Sequence, residues 1–252
     1  MSSTEVLVPS DTTLGTFLSV LPQITCIVVF LSPWKTVRSF KLEGTTKNLP
    51  MMPYVSLAVQ SCIWTSYGYL IGAIPVMLPN VVGTLLGVYY TFVFHTHYRL
   101  NEPYMLEKHY LGSIVVLALL AYFHMQEFDV AKQYVALLGM TGTVIFSASP
   151  LVMIFTVCRE KSIASLPFDM ALLVFINSAC WIFYGVLVVN DYALYLPNML
   201  GFLAGTLQLL CHVLFGNPVN DLQNMITCKG TSKRRNSPIE FDPVASNELE
   251  VA

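Results

Sequence analysis

The chain contains two copies of one long sequence pattern, and this internal repeat constrains its fold more than any other feature. The first copy is WTSYGYLIGAIPVMLPNVVGTLLG at residues 64–87, and the second is WIFYGVLVVNDYALYLPNMLGFLAG at residues 181–205. Both read W-x-x-Y-G, then a gap, then L-P-N-x-x-G-x-x-x-G. The offset between the copies is 117 residues up to Gly68, and it becomes 118 at Asn80 because the second gap is one residue longer. A repeat of this length predicts a duplicated structural unit.

The composition places this duplicated unit in a membrane. Hydrophobic residues make up 55% of the 252-residue chain and charged residues only 11%, whereas soluble domains carry about 25% charged residues. A net charge of -2 argues against a broad nucleic-acid-binding surface. The six cysteines lie mostly in apolar runs without metal-like spacing, so we interpret them as packing residues. Apolar runs of a length that crosses a bilayer predict seven spans, at residues 13–32, 51–71, 76–95, 110–125, 134–157, 166–189 and 192–215.

The predicted fold is an all-α integral membrane protein of seven transmembrane helices. Two three-helix bundles are parallel because the fourth helix, which has no partner in the repeat, acts as an inversion linker between them (3+1+3). The basic segment WKTVRSFKLEGTTKN after the first span is expected to be a loop. The predicted divisions are an extracytosolic N-terminus (1–12), the first bundle (13–96), a linker with transmembrane helix 4 (97–132), the second bundle (133–215) and a disordered cytosolic tail (216–252).

Lysine and arginine predict the orientation of the spans. Twelve of the thirteen basic residues fall in segments on one side of the predicted membrane, and only Lys132 falls on the other. Positive residues accumulate on the cytosolic side, so we expect the N-terminus outside and the tail in the cytosol. The plasma membrane is the default location, with an internal membrane left open.

Two repeated residue types are candidate ligand contacts. Trp64 and Trp181 lie well inside their spans, where aromatic plates can hold the C–H faces of a sugar ring; the alternative is helix packing. Asn80 and Asn198 each follow a proline. An amide in hydrocarbon is costly unless it is paired or faces a cavity, so these two either join helices or form the polar floor of a binding site.

A second amide pair lies one helical turn before the tryptophans. Gln60 and Asn177 therefore share a helix face with them and are predicted to reach the same cavity. Prolines near the ends of spans are interpreted either as terminators or as hinges of a cytosolic gate: Pro33 and Pro150 at the ends of spans one and five, and Pro167 at the start of span six. The repeated G-x-x-x-G pairs are assigned to helix packing.

Several chemical classes find no support in the sequence. No charged residue lies deep in a predicted span, whereas proton-driven transporters usually need one. There is no nucleotide-binding loop, metal cluster or catalytic constellation. We therefore expect a passive transporter with no cofactor and no enzymatic activity.

The motifs resemble those of the SWEET (MtN3/saliva) sugar transporters over residues 14–215. The resemblance rests on SPWKTVRSFKLEGTTKNLPMMPYVSL, WTSYG with LPNVVG, SPLVMIFTVCREKSIASLPFDMALLVF, CWIFYG and LPNMLG. It implies bidirectional facilitated diffusion of mono- or disaccharides by alternating access, with pocket residues at the paired tryptophans and asparagines. It also implies a gating proline tetrad that adds Pro53 to the three prolines above, although the internal repeat pairs Pro167 with Pro50. A homo-oligomer is suggested by the same analogy.

The resemblance also suggests which sugar is carried. Family members that take disaccharides tend to have small residues at the positions of Gln60 and Asn177, so the larger amides predict a hexose such as glucose. The alternative is a proton-coupled PQ-loop transporter of amino acids or cystine, because Pro22-Gln23 resembles that signature. A seven-helix receptor is a weaker alternative, since its helices would show no parallel repeat.

Overall fold

The computed structural model describes residues 7–46, 49–98, 103–160, 163, 166–216 and 223. All regular secondary structure in these residues is helical, which confirms the all-helical prediction. The elements, in chain order, are α1 (Thr13–Leu31), α2 (Trp34–Glu43), α3 (Met52–Leu70), α4 (Ile74–His97), α5 (Pro103–His124), α6 (Phe128–Glu160), α7 (Phe168–Phe183), a π-helical segment (Tyr184–Val189) and α8 (Tyr192–Phe215). The predicted tail lies outside the described residues, except for positions 216 and 223.

The packing follows the duplication. α4 packs on α1 and α3 in the first half, and α8 packs on α6 and α7 in the second half, while α5 contacts α3 and α6. Within the described part of the chain, four helical stretches are long and apolar enough to cross a membrane: Thr13–Glu43, Ile74–His97, Phe168–Val189 and Tyr192–Phe215. The other three predicted spans coincide with α3, α5 and α6.

The basic segment after the first span is a helix, so the prediction of a loop there is wrong. α2 begins directly after Pro33 and ends at Gly44, whose φ of 67° closes the helix in the left-handed conformation that glycine favours. Val37 and Phe40, three residues apart, are buried. They give α2 one apolar face that packs on α4. The many charges of this segment had masked that spacing.

Pro150 does not end a helix, contrary to the prediction. α6 runs without interruption through this position, and Glu160 is its last residue. Membrane helices tolerate an internal proline because neighbouring groups satisfy the carbonyl that loses its donor. Pro22, Pro79 and Pro197 are also inside helices.

The repeated glycines hold the helices of each half close together, as predicted. A Cβ at Gly83 would overlap Ser61 Oγ, and a Cβ at Gly201 would overlap Ser178 Oγ. Gly87 and Gly205 face the backbones of Ala58 and Phe175 in the same way. The contacts are equivalent in the two halves, so both bundles use the same close α3–α4 and α7–α8 crossing.

The extra residue of the second repeat is absorbed by the π-helical segment. Copy one turns at Gly72 (φ 65°) and copy two at Asn190 (φ 53°), so both turns use one left-handed residue. Between Gly185 and that turn, the second copy carries one more residue than the first. A π-helical turn accommodates an added residue without breaking the helix, and Tyr184–Val189 is π-helical.

Among the residues that the structure describes, the buried core is continuous between the bundles at one end. We call the end with the α3–α4 turn (residues 71–73) and Asn190-Asp191 the turn end, and the end with Pro33 and α2 the basic end. At the turn end, one cluster includes Ile63, Tyr67, Trp181 and Tyr184 and joins both halves. At the basic end, two clusters are separate, one within the first half and one within the second. The two bundles are thus sealed together at the turn end.

Candidate functional site

Both repeated tryptophans stand edge-on to the tyrosine one turn later in their own motif. The ring centroids of Trp64 and Tyr67 are 5.7 Å apart at an interplanar angle of 81°, and those of Trp181 and Tyr184 are 5.8 Å apart at 81°. Edge-to-face pairs in this range are favourable and fix ring orientation. Trp181 is buried and Trp64 half-buried. The two copies therefore present their indoles in the same local geometry.

Each indole contacts the other bundle. Trp64 Nε1 donates to Thr143 Oγ1 at 3.3 Å, and Trp181 lies with Cys26 in one buried cluster. Thr143 lies 117 residues after Cys26, so the two residues are equivalent positions of the repeat. The tryptophans are therefore placed by the partner bundle's first long helix as well as by their own.

The second predicted amide pair also joins the bundles. Gln60 Nε2 donates to Gly139 O at 2.7 Å and to Thr143 Oγ1 at 2.9 Å. Asn177 Oδ1 accepts from Thr25 Oγ1 at 3.0 Å. Both amides lie on the helix face of the tryptophans, as predicted, and both are half-buried. They meet the opposite bundle rather than standing free in this conformation.

The two amide contacts are matched in size across the repeat. A Cβ at Gly142 would overlap Gln60 Oε1, so the longer amide requires glycine opposite it. The position equivalent to Gly142 is Thr25, and the shorter Asn177 meets it by a hydrogen bond. The long Gln60 thus faces a glycine at one contact, and the shorter Asn177 faces a threonine at the equivalent contact.

The repeated asparagines share one arrangement within their helices. Asn80 Nδ2 donates to Val76 O at 2.8 Å, and Asn198 Nδ2 donates to Leu194 O at 2.7 Å. Their Oδ1 atoms carry no hydrogen bond from the described residues. Asn80 is buried and Asn198 half-buried. Each carbonyl oxygen is therefore an acceptor that a polyol hydroxyl can use.

The asparagines and tryptophans lie at matching depths. Asn80 is six residues after the start of α4, and Trp64 is six residues before the end of α3. At 1.5 Å per residue, both are about 9 Å from the turn end of their antiparallel helices. Asn198 is likewise six residues after the start of α8. These three side chains therefore occupy one layer below the sealed end, and Trp181 lies eight residues before the end of the π-helical segment.

The sequence reasoning missed a cross-bundle hydrogen bond at the turn end. Tyr67 Oη donates to Asp191 Oδ2 at 2.6 Å, and both residues are buried. Asp191 Oδ1 also accepts from Ala193 N at 2.9 Å and so caps α8. The signal was present in W-x-x-Y and in the Asn190-Asp191 turn, but Tyr67 was treated only as part of a motif and Asp191 only as a turn residue.

The predicted hinge prolines lie away from this layer. Pro33 joins α1 to α2, and Pro167 precedes α7. Pro53 is in the first turn of α3, three residues after Pro50. Pro33, Pro53 and Pro167 are at the basic end, whereas Pro150, the fourth predicted hinge, lies within α6, ten residues before its end.

The described residues contain no group of three or more histidine, cysteine or acidic side chains that could hold a metal ion. Five cysteines, Cys26, Cys62, Cys158, Cys180 and Cys211, are free thiols, of which Cys26, Cys180 and Cys211 are buried and Cys158 is exposed. Cys228 lies outside the described residues.

A family model described as "Sugar efflux transporter for intercellular exchange" (MtN3/saliva) matches the chain twice. The matched segments are residues 16–102 and 133–220, so the model finds the same duplication that the sequence shows.

Curated relatives include proteins named bidirectional sugar transporters. The chain is 28% identical to SWEET2a of Sorghum bicolor over 75% of this chain and 79% of the relative. It is 27% identical to SWEET17 of Arabidopsis thaliana over 80% and 85%, respectively. It is 26% identical to the sugar transporter SWEET1 of Drosophila pseudoobscura pseudoobscura over 79% and 88%.

A solved structure of a eukaryotic SWEET transporter has the same fold. It superposes with a TM-score of 0.70 at 25% identity, covering 79% of this chain and 95% of the solved one. The family match and this superposition agree on a membrane protein of duplicated helical bundles.

Proposed function

Because the chain belongs to the SWEET (MtN3/saliva) family, we propose that it is a bidirectional facilitative sugar transporter that works by alternating access. Membership of this family makes the chain a membrane transporter rather than an enzyme, and it favours sugar over the amino acids of the PQ-loop alternative. The observation that carries the proposal is the pseudosymmetric layer of Trp64, Asn80, Trp181 and Asn198 beneath a single sealed end.

The chemistry of this layer suits a neutral sugar. Indole faces pack on the apolar C–H faces of a pyranose ring, and amide oxygens accept its hydroxyl protons. Asn80 and Asn198 each have one oxygen available, since their nitrogens are held by the preceding turn. Because each bundle carries one such set, we propose that a bound ring is contacted from both sides.

The pattern of cores supports alternating access. The bundles share one core at the turn end, and the two cores that the described residues form at the basic end are separate. This is the arrangement expected of a transporter that is shut at one membrane face and able to part at the other. We assign the basic end to the cytosol by the excess of lysine and arginine there, which makes this an inward-facing conformation.

The energy that seals the turn end is small enough to be reversed during transport. Hydrogen bonds between membrane helices contribute about 0.6–2 kcal/mol each. The bonds made by Gln60, Trp64, Asn177 and Tyr67 across the bundles therefore sum to several kcal/mol. About 5.5 kcal/mol converts a 1:99 equilibrium to 99:1, so the loss of these bonds on rocking is within the range that substrate binding and new contacts at the basic end can offset.

We propose that the four hinge prolines let their helices bend as the bundles rock. We retain Pro33, Pro53, Pro150 and Pro167 as the gating prolines, with Pro50 as the alternative to Pro53. Three of the four lie where helices begin or join at the basic end, and Pro150 leaves α6 short of one backbone hydrogen bond within its length. Local loss of that bond makes α6 easier to bend.

We further propose a hexose such as glucose as the substrate. Gln60 and Asn177 project one helical turn below the tryptophans and already contact the opposite bundle. These two amides leave less room for a second sugar ring than small side chains such as serine would at the same positions. We propose that the protein lies in the plasma membrane with its N-terminus outside the cell. The family analogy also suggests that it assembles as a homo-oligomer.

The decisive experiment measures uptake of labelled glucose by cells that lack their own hexose carriers. Uptake independent of external pH and of an uncoupler is the expected result, because the layer contains no ionisable side chain that could couple a proton. Uptake that collapses with the proton gradient would contradict facilitated diffusion. If the protein reaches the surface normally and carries another sugar but not glucose, the proposal of a sugar transporter stands and the choice of glucose as substrate is wrong.

A further inference from the structure

The geometry points to a binding site for the headgroup of an anionic phospholipid in a pocket between α2 and α4 at the basic end, and we propose this site as a property separate from sugar transport. The pocket has a volume of about 230 Å³ and is lined by Trp34, Val37, Arg38, Lys41 and Tyr89. This volume is below the range of ~300–1,000 Å³ typical of pockets that enclose whole small molecules. It suits a headgroup rather than a complete lipid.

The pocket wall is ordered by aromatic and cationic contacts. Trp34 and Tyr89 are stacked with centroids 5.8 Å apart. Lys41 Nζ donates to Tyr89 Oη at 2.8 Å and lies 4.9 Å from the centre of that ring. Val37 is buried and anchors α2 beneath the pocket. Lys41 is therefore held at the rim before any ligand arrives.

The charge of the pocket calls for an anion. Trp34, Arg38 and Lys41 follow a spacing of four and three residues, so they share one face of α2. Arg38 forms no ion pair with any residue that the structure describes. A guanidinium binds a phosphate through two parallel hydrogen bonds, and an ammonium adds a point charge. The recognised chemistry is thus a phosphate group.

The surroundings favour a lipid as the source of that phosphate. On α4, Leu85, Val88, Tyr89 and Phe92 are all at least 36% exposed and form one stripe of the helix. Tyr89 belongs both to this apolar stripe and to the pocket. A headgroup bound at Arg38 would therefore place its acyl chains along the stripe, a contact that a free phosphate ion cannot make. Basic pockets at the cytosolic membrane boundary bind lipid headgroups in this way.

The test uses native mass spectrometry of the purified full-length protein in detergent. The probe is phosphatidic acid, whose headgroup is a bare phosphate, compared with phosphatidylcholine and challenged with inorganic phosphate. We expect retention of phosphatidic acid over phosphatidylcholine, with no displacement by equimolar inorganic phosphate. Displacement by inorganic phosphate would make the pocket a site for the free ion, and equal retention of the two lipids would remove the site.

Charge-matched variants distinguish lipid binding in the pocket from non-specific electrostatic attraction to α2. Arg38→Gln and Lys35→Gln remove one positive charge each from exposed positions of α2, but only Arg38 lines the pocket. We expect Arg38→Gln to weaken phosphatidic acid binding by about tenfold more than Lys35→Gln, because only the former loses a charge-assisted bidentate contact. Lys41→Gln provides a second pocket variant should Arg38→Gln fail to fold. Equal losses in pocket and control variants would overturn the proposal.

Discussion

Gln60 Oε1 occupies the space that a Cβ on Gly142 would need, and this contact brings α3 of the first bundle directly against α6 of the second. The same amide donates to Gly139 O and to Thr143 Oγ1. The absence of a side chain at Gly142 is therefore what allows the amide to approach the α6 backbone. The two bundles meet here at van der Waals distance, one helical turn below the proposed sugar layer.

Gly142→Ala should weaken the contact between the bundles, because the added methyl group displaces the Gln60 amide from its two acceptors. We expect a clear fall in sugar uptake and a lower melting temperature, corresponding to about 1–3 kcal/mol for overpacking. Gly112→Ala is the matched control, since a Cβ at Gly112 on α5 meets no atom within 4 Å. Combining Gly142→Ala with Gln60→Ser should recover part of the loss. Strict additivity of the two changes would contradict a direct contact.

Tyr67→Phe should loosen the seal at the turn end, because it removes the hydroxyl that donates to the buried carboxylate of Asp191. A hydrogen bond to a charged group contributes about 1.5–3 kcal/mol. We expect faster labelling, from the turn end, of a cysteine introduced beneath the seal in a cysteine-free background. The exchange rate of labelled sugar should rise together with the labelling rate, because the turn end opens more readily.

Tyr184→Phe controls for the loss of a hydroxyl at the equivalent position. Tyr184 holds the same edge-on place beside its tryptophan, and its hydroxyl makes no hydrogen bond among the residues that the structure describes. Labelling in this variant should stay near the parental rate. Equal acceleration in both variants would mean that the seal depends on tyrosine packing rather than on Asp191.

Thr143→Val should impair transport, because Thr143 Oγ1 accepts from both Gln60 and Trp64. Valine has a similar shape but offers no acceptor, so the loss is chemical rather than steric. We expect the apparent affinity for sugar to fall as Trp64 loses its fixed orientation, by about five- to tenfold for one hydrogen bond. Thr143→Ser retains the acceptor and should keep near-normal uptake. A serine variant as poor as the valine variant would point to the methyl group instead.

Much of the fold could be predicted from the sequence because the repeat and the apolar spans carry strong, redundant signals. The boundaries of α8 agree with the predicted span, since Asn190-Asp191 and Gly216 mark both its ends. The helix α2 was missed because its buried pair, Val37 and Phe40, is set among charges. The path of α6 through Pro150 was missed because a proline usually marks a helix end in water, and a membrane relaxes that rule.

The partners of the site residues lay beyond the reach of the sequence alone. The pairing of Trp64 with Trp181 follows from the repeat, but the residues that they meet in the other bundle, Thr143 and Cys26, differ in chemistry and show no shared motif. Tertiary packing decides which residue of the opposite bundle lies beside each indole. The bond from Tyr67 to Asp191 has no counterpart in the repeat, so no duplicated pattern could indicate it.

Gln60→Ser together with Asn177→Ser should widen the substrate range toward disaccharides. Both substitutions shorten a side chain one helical turn from a tryptophan, and both remove a cross-bundle hydrogen bond. We expect sucrose uptake to rise relative to glucose uptake in the double variant. The ratio of the two uptakes is the readout, because it is independent of expression level. Parental protein that already carries sucrose as well as glucose would contradict size selection by these amides.

The central claim is that the duplicated Trp and Asn residues form the sugar site of a uniporter, and uptake of labelled glucose in cells without hexose carriers tests it most directly. Parental protein is compared with Asn198→Ala, Trp181→Ala and the control Gln126→Ala. Gln126 lies in the connection between α5 and α6, and its side chain donates to Tyr122 O, four residues earlier. We predict uptake that is insensitive to pH and uncoupler, is lost in the first two variants at normal surface expression, and is unchanged in the control. Full glucose uptake by Asn198→Ala and Trp181→Ala would contradict the account.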